Sequence, residues 1–389
     1  MQQLSPERTS GTPPAGWINP LRAIGLNEDS GPGFLQVEQY RLDWVFMAKF
    51  GKKELALKVL YGSGVAGLIH KLRSRVLDEI IILAYHRVMD IDESRYPFDA
   101  ELVSCSLQDF EWQMEYVAKC YDPVSFSDYV DFLDRGKPLP GRPLIVSFDD
   151  GFDDNFHHAY PILKRLDIPA TVFLSTAYIG TRRPFWYDWL VYICKTSKLQ
   201  APDLRAALQE AGCRKLAGDN AEAVAHSALV YMKEIPDRER VGLVEAIERR
   251  LGMAPAEEGY PECRALDWGQ VREMAANGIE FGSHSVSHPI LTRLDDEALD
   301  AELRGSKRKI EQETGRPCQV VAYPVGVGTA FDARVKEFSR RAGYRIGVSY
   351  EQGSNRLRGT DLFAVRRVHV ERYVEPAEFV SMLALPGRI

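Results

Sequence analysis

Residues 143–175, PLIVSFDDGFDDNFHHAYPILKRLDIPATVFLS, decide the fold. Two short apolar, β-branched runs, PLIV and ATVF, flank a helical stretch, the pattern of a strand–helix–strand unit. The first run closes on Ser147-Phe148-Asp149-Asp150-Gly151, two adjacent carboxylates and a glycine that permits a sharp turn. Working outward, EIIILAYHRV, IEFGSHS, CQVVAYPVG, RIGVSY and FAVRRVHV repeat the theme, with helical stretches such as Ser106–Ala118 and Glu297–Glu313 between them. Such alternation implies βα units and a mainly parallel sheet. Seven candidate strands running one way favour an α/β barrel, closed or nearly closed, over an open sheet.

Between ATVF and the helix beginning near Trp268, residues 181–262 carry helical periodicity and no strand signal, and are expected to form a helical insertion in the barrel. At the other end, residues 1–34 are rich in Pro, Gly, Ser and Thr and are expected to be a disordered tail. Residues 35–78 read as a basic helical extension. Within it, residues 42–76 mix seven Lys and Arg with Leu, Val, Phe and Trp, a composition that suits either a helix pair packed on its own domain or peripheral contact with an anionic inner-membrane surface. The barrel proper is expected over residues 79–389.

Composition narrows the function classes. The chain of 389 residues is 45% hydrophobic and 27% charged, ordinary for a globular protein, and its net charge of −6 argues against nucleic acid as the main partner. Six cysteines without a C-x-x-C pair argue against a zinc ribbon or thioredoxin-like site and read as buried thiols. The longest weakly polar run, Leu55–Ile69, contains Lys58 and three glycines and is too short to span a bilayer. The first residues lack the pattern of a secretory signal, so a cytoplasmic address is the expectation.

In a parallel barrel the strands' C-terminal ends form the active site, so polar residues there carry weight. Asp149 and Asp150 either cap the next helix or divide into a metal ligand and a free proton acceptor. His284-Ser285-Val286-Ser287-His288 ends another strand, and two histidines at i and i+4 can converge on a divalent ion. Zinc is the default ion, with cobalt or nickel as alternatives. An oxygen ligand from Asp149 or Asp150 completes three protein ligands with positions left for water. His86 follows the strand EIIILAY and either lines the pocket or supports it from beneath. His157 and His158 are expected to face outward or into a helix junction, and His226 has no visible partner. Tyr323, Trp186, Tyr187 and Trp189 are read as sugar platforms or as core.

In order and context the Asp-Asp-Gly strand end, the His-Ser-x-x-His pair and the turn Ala322-Tyr323-Pro324-Val325-Gly326 resemble NodB-type polysaccharide deacetylases, carbohydrate esterase family 4. Ala84-Tyr85-His86-Arg87-Val88 and the run from Phe185 to Asp188 are similar to the branch acting on bacterial cell-surface polysaccharides. The resemblance covers about residues 80–372 and implies a distorted (β/α)7-type barrel. It also implies roles: Asp150, His284 and His288 as metal ligands, Asp149 as the base that takes a proton from the attacking water, and Tyr323, Pro324 and Val325 at the oxyanion and substrate, with the Val325 N–H stabilising the oxyanion. His369, alone after His288, is the candidate proton donor to the leaving amine. Ala322 stands where the family has an arginine that orients the base, and Val325 where it has tyrosine. Arg366 or Arg367 is the candidate replacement.

The implied activity is metal-dependent removal of N-acetyl groups from an amino sugar in a polysaccharide, oligosaccharide or lipid-linked precursor. The alternatives are O-deacetylation or hydrolysis of another amide on the same site, and a catalytically inactive barrel that binds a glycan or partner. The cytoplasmic expectation favours a lipid-linked precursor at the inner leaflet.

Overall fold

The computed structural model describes residues 78–387. The expected tail, the basic extension and the membrane-facing segment 42–76 lie outside the described residues, except for Asp78. Seven strands close on themselves: β1 (Glu79–Tyr85), β2 (Pro143–Phe148), β3 (Ala170–Leu174), β4 (Ile279–Ser283), β5 (Val320–Ala322), β6 (Ile346–Gln352) and β7 (Val365–His369). All pair in parallel, from β1–β2 (Ile81↔Leu144 to Tyr85↔Phe148) round to β7–β1 (Leu83↔Val368, Ala84↔His369). The distortion lies in two seams. A single pair, Ser283↔Val321, joins β4 to β5, and the register slips between β6 and β7.

Alternate strand residues divide between two cores, as the period of two requires. Ile80, Ile82, Ile145, Phe173, Val320, Ala322, Ile346, Val348 and Val365 form one apolar cluster, into which Phe126 and Tyr129 also pack. Ile81, Leu83, Leu144 and Val146 pack outward against the helices. Among these are α1 (Leu107–Cys120), capped by Ser106, and α2 (Phe126–Arg135), whose Ser125 and Asp128 make a reciprocal capping box. Glu280 on β4 adds its carboxylate to the Phe126 and Ser127 amides at 3.1 and 3.2 Å, fastening α2 to the barrel.

Between β3 and β4 run α3 (Trp186–Thr196), α4 (Ala201–Glu210), α5 (Ala221–Glu234) and α6 (Asp237–Leu251), followed by α7 (Trp268–Ala276). On α3, Asp188 is fully buried; it accepts the Asp99 N–H at 2.7 Å and the Cys263 thiol at 2.9 Å. Arg87 nearby is buried too, paired with Asp154 at 2.8 Å. No helix among the described residues is long and apolar enough to cross a membrane.

Burial pushes the Asp188 carboxyl up to about 6 against the opposing pull of Arg87 and the Asp99 amide. The folded protein therefore holds this proton more tightly than the unfolded chain, and stability falls as pH rises from about 4 to about 6. At roughly 1.4 kcal/mol per pKa unit the loss is on the order of 3 kcal/mol. Asp188→Asn keeps one acceptor oxygen, enough for the Asp99 N–H, and removes the charge, so urea unfolding should show a flatter pH slope and higher stability at pH 8. Asp153, pushed up to about 6 by burial and by Asp154, leaves a residual slope of the same sign. An unchanged slope in the variant would refute the assignment.

Candidate active site

Asp149, Asp150, His284 and His288 all follow barrel strands at the C-terminal end, on β2 and β4. Asp149 continues β2, its N–H bonding to Tyr85 O at 2.9 Å. Asp150 then takes a left-handed conformation (φ 73°), as does Gly151 (φ 85°), which turns the chain sharply. A Cβ at Gly151 would meet Leu174 Cδ2 at 2.6 Å, so both backbone and space demand glycine. Left-handed geometry in a non-glycine residue costs about 1–2 kcal/mol. Here it aims the Asp150 carboxylate at the two histidines.

After β4, Ser285 (φ 66°) and His288 (φ 56°) are also left-handed, and the loop is held from outside. Glu302, on α8 (Asp296–Thr314), accepts the Val286 and Ser287 amides at 2.6 and 2.9 Å and the Ser287 hydroxyl at 2.7 Å. The Ser285 hydroxyl accepts the His288 N–H at 3.1 Å, and the Trp186 indole donates to His288 O at 3.0 Å. His284 Nδ1 sits 2.9 Å from Ala322 O, which fixes Nδ1–H as the donor and leaves Nε2 as a free ligand atom.

Asp150 Oδ1 lies 3.5 Å from His284 Nε2 and 3.3 Å from His288 Nε2, and one ligand atom from each residue falls within 4.8 Å of the others. Asp150 Oδ1 and His288 Nδ1 are buried without a hydrogen-bond partner. Burial pushes His284 down to about 4, a neutral imidazole at pH 7. Two imidazoles and a carboxylate, aimed at one point with orphaned polar atoms, fit a divalent cation.

Asp149 faces Arg367. The guanidinium makes two parallel bonds of 2.7 Å to Oδ1 and Oδ2, and both side chains are buried, Arg367 completely. Arg367 Nε also donates to Ser349 O at 2.9 Å. Burial works to raise the Asp149 pKa, but the Arg367 charge, with help from His284, outweighs it and holds the carboxyl below its ordinary value. Asp149 is thus an anion held by a cation that cannot release a proton.

A cleft of about 310 Å3 opens on these groups, lined among others by His86, Asp149, Asp150, Tyr187, His284, His288, Val325 and Tyr350. Val325 is left-handed (φ 65°), and its N–H has no acceptor among the described residues. Gly326 follows, where a Cβ would strike Tyr350 N at 2.7 Å. A smaller cavity of about 130 Å3 beside Glu280 has its carboxylate already committed to α2.

The other residues singled out in the sequence divide between the cleft and its surroundings. Arg366 is exposed, 3.9 Å from Glu351, and takes no part in the site. Tyr323 belongs to the lining of the cleft, with its ring stacked on Phe331 at 5.0 Å and its hydroxyl donating to Phe363 O. Trp186 also contributes to the lining, beneath the Arg240 guanidinium, whereas Trp189 is stacked on Tyr192 away from it. His369 is stacked on Tyr350 at 3.6 Å, with Nε2 buried and unpartnered; Tyr350 and His86, rather than His369, line the cleft. His158 approaches Val88 O at 2.6 Å and His157 is exposed beside Gln270. His226 is not isolated: its Nε2 is 3.3 Å from Asp99 and its Nδ1 3.7 Å from Glu101. Glu302 and Tyr350 escaped the sequence reading, since each acts across a long sequence separation and belongs to no short motif.

Comparison with known proteins bears on the fold and the family. Residues 136–347 match the family model described as polysaccharide deacetylase. YxkH of Bacillus subtilis, provisionally named a polysaccharide deacetylase, is 20% identical over 290 residues, 74% of this chain and 70% of its own length. The poly-beta-1,6-N-acetyl-D-glucosamine N-deacetylase of Staphylococcus epidermidis is 31% identical over 110 residues, 26% of this chain and only 37% of that protein. Among solved structures, the deacetylase PplD of Streptococcus pyogenes in complex with acetate superposes with a TM-score of 0.51 at 18% identity, covering 79% of this chain and 99% of that one. At that identity the likeness establishes the fold alone. The family match is broader: it spans more than half the chain and includes both carboxylates and both histidines, and the chain belongs to the polysaccharide deacetylase family.

Proposed function

We propose that this protein hydrolyses the N-acetyl group of an amino sugar within a glycan, with a divalent metal, zinc by default, held by Asp150, His284 and His288. The observation that carries the reading is the pair of carboxylates with divided tasks. Asp149 is fixed by Arg367, while Asp150 turns to the histidines. When bound, the metal polarises the acetyl carbonyl and the attacking water. Asp149 takes the proton of that water, and Arg367 keeps the carboxylate oriented and ionised. The Val325 N–H donates to the oxygen that becomes negative. The proton must then reach the amine as the C–N bond breaks and acetate departs.

For that transfer we favour His86 over His369. His86 lines the cleft, its ring against Tyr350 at 5.5 Å. Burial and the Arg367 charge push His369 down to about 3, which makes it a poor donor. Hydrolysis of an O-acetyl ester uses the same groups and remains the second reading, because an alkoxide leaving group needs less help from a proton donor.

Acetate release from N-acetylglucosamine oligomers, with metal-loaded and chelator-treated protein, tests the function. Release should disappear on chelation and return with zinc or cobalt. In the same assay His86→Gln should lower kcat by about 100-fold and His369→Gln by much less. The reverse order would return the donor role to His369. Release from O-acetylated but not N-acetylated sugars would favour the second reading, and metal binding without turnover of either would favour a binding barrel. A lipid-linked substrate reached through residues 42–76 is part of the proposal, and sedimentation with anionic vesicles checks it.

A further inference from the structure

The lining of the cleft continues from the metal ligands onto the helical insertion. Leu229 and Lys233 of α5 line it together with Asp99, Glu101 and Leu102 from the loop before α1. His226, Leu229 and Lys233 follow one another at helical spacing and share one face of α5. His226 faces Asp99 with one ring nitrogen and Glu101 with the other. That is the pattern of a histidine clasp joining α5 to the loop, with each ring nitrogen turned to a different carboxylate.

Lys233 differs from its neighbours because the clasp does not use it. It is half-buried, Asp99 and Glu101 act on it only at longer range, and no carboxylate lies within ion-pairing distance among the described residues. Three N–H donors in a partly desolvated cleft without a fixed acceptor bring no return in folding. They do so when a ligand accepts. Glu101, its side chain 78% exposed, offers an acceptor elsewhere in the same lining, and Leu102 and Leu229 supply apolar surface. Donor, acceptor and apolar patch match a pyranose, whose C–H faces are apolar and whose rim hydroxyls both give and take hydrogen bonds. Carboxylates at Asp99, Glu101 and Glu371 in the same lining disfavour an anionic ligand. With water occupying about 30 Å3 per molecule in the liquid, 310 Å3 holds roughly ten water volumes, more than one acetamido group fills.

We propose that Lys233 and Glu101, with Leu229, form a subsite for the sugar adjacent to the one deacetylated, so that the protein selects neutral N-acetylhexosamine chains over single sugars. This rests on the deacetylase reading and adds the part of the substrate that does not react. Lys233 is here a specificity-determining residue, remote from the bond that breaks.

The test uses the metal-loaded full chain and N-acetylglucosamine monomers and tetramers, both 1,4- and 1,6-linked. For at least one linkage the wild type should show a higher kcat/KM on the tetramer than on the monomer. Lys233→Met should lower that tetramer-to-monomer ratio about tenfold, the equivalent of roughly 1.4 kcal/mol. The change should fall on KM, with kcat for the tetramer within about twofold of wild type. Lys233→Arg should restore part of the ratio, and Val230→Ala, on the exposed side of α5, should leave it unchanged. Lys233→Gln substitutes if the methionine variant fails to fold. A wild-type ratio in the variants, an equal loss of kcat on both substrates, or a wild type indifferent to length would overturn the proposal. If the wild type releases acetate from none of these sugars, the deacetylase reading fails separately, and calorimetric titration of the tetramers decides the subsite. Binding about tenfold weaker in Lys233→Met upholds it, and equal or absent binding overturns it.

Discussion

Asp149→Asn should abolish acetate release, by on the order of 10^3-fold or more, while the protein keeps its metal. The amide is nearly isosteric and still offers Arg367 an oxygen, but it cannot accept a proton at any accessible pH. Its NH2 group also faces a guanidinium that has only donors, so one of the two 2.7 Å bonds is lost. Asp150→Asn should behave differently. It weakens the set of three ligands directly, and metal content and activity should fall together. Measuring bound metal and acetate release for both variants separates the two carboxylates, although they are adjacent in sequence and both buried. If Asp149→Asn loses the metal and Asp150→Asn keeps it, their roles are exchanged.

The site was legible in the sequence to the extent that its residues are local. Asp149-Asp150 and His284/His288 each lie within one strand end, and the alternation of strands and helices placed those ends on one side of a barrel. What depends on strand parity was not legible. In FAVRRVHV a one-residue change of register exchanges inward and outward side chains, and apolar residues occupy both faces, so Arg366 and Arg367 stood as equals. The parity of β7 settles it: Arg367 turns inward to Asp149 and Arg366 turns to solvent. The same limit applied to Tyr323 and the tryptophans, whose aromatic content predicts burial as well as it predicts a sugar platform. Glu302, holding the His-Ser-x-x-His loop from α8, lies 14 residues beyond His288 and in no recognisable spacing with it. His226 and Lys233 belong to an insertion whose periodicity announced helices, while the face turned to the cleft depends on packing against the loop at Asp99.

Arg367→Met should cost both stability and activity. The pair it breaks is buried, and removing one partner leaves the carboxylate without the cation that holds it, a loss of about 3–5 kcal/mol. That carboxylate must either bind a proton or turn away from its place beside β7, and in neither state is it a positioned base. Activity should therefore fall about as far as in Asp149→Asn, and the double variant should be little worse than either alone, because both remove one unit. Arg367→Lys tests geometry against charge: the ammonium supplies a cation but not the fork, so stability should recover more than turnover. Where the family pattern has arginine on the strand equivalent to β5, this chain has Ala322, whose side chain packs in the same apolar cluster as Phe173, Val348 and Val365. The Arg367 guanidinium lies 5.7 Å from the Phe173 ring, so a small residue at 322 is compatible with a cation arriving from β7. Full activity in a folded, metal-loaded Arg367→Met protein would mean that the base needs no cation, and would remove the reason for treating the exchange of Ala322 and Arg367 as compensation.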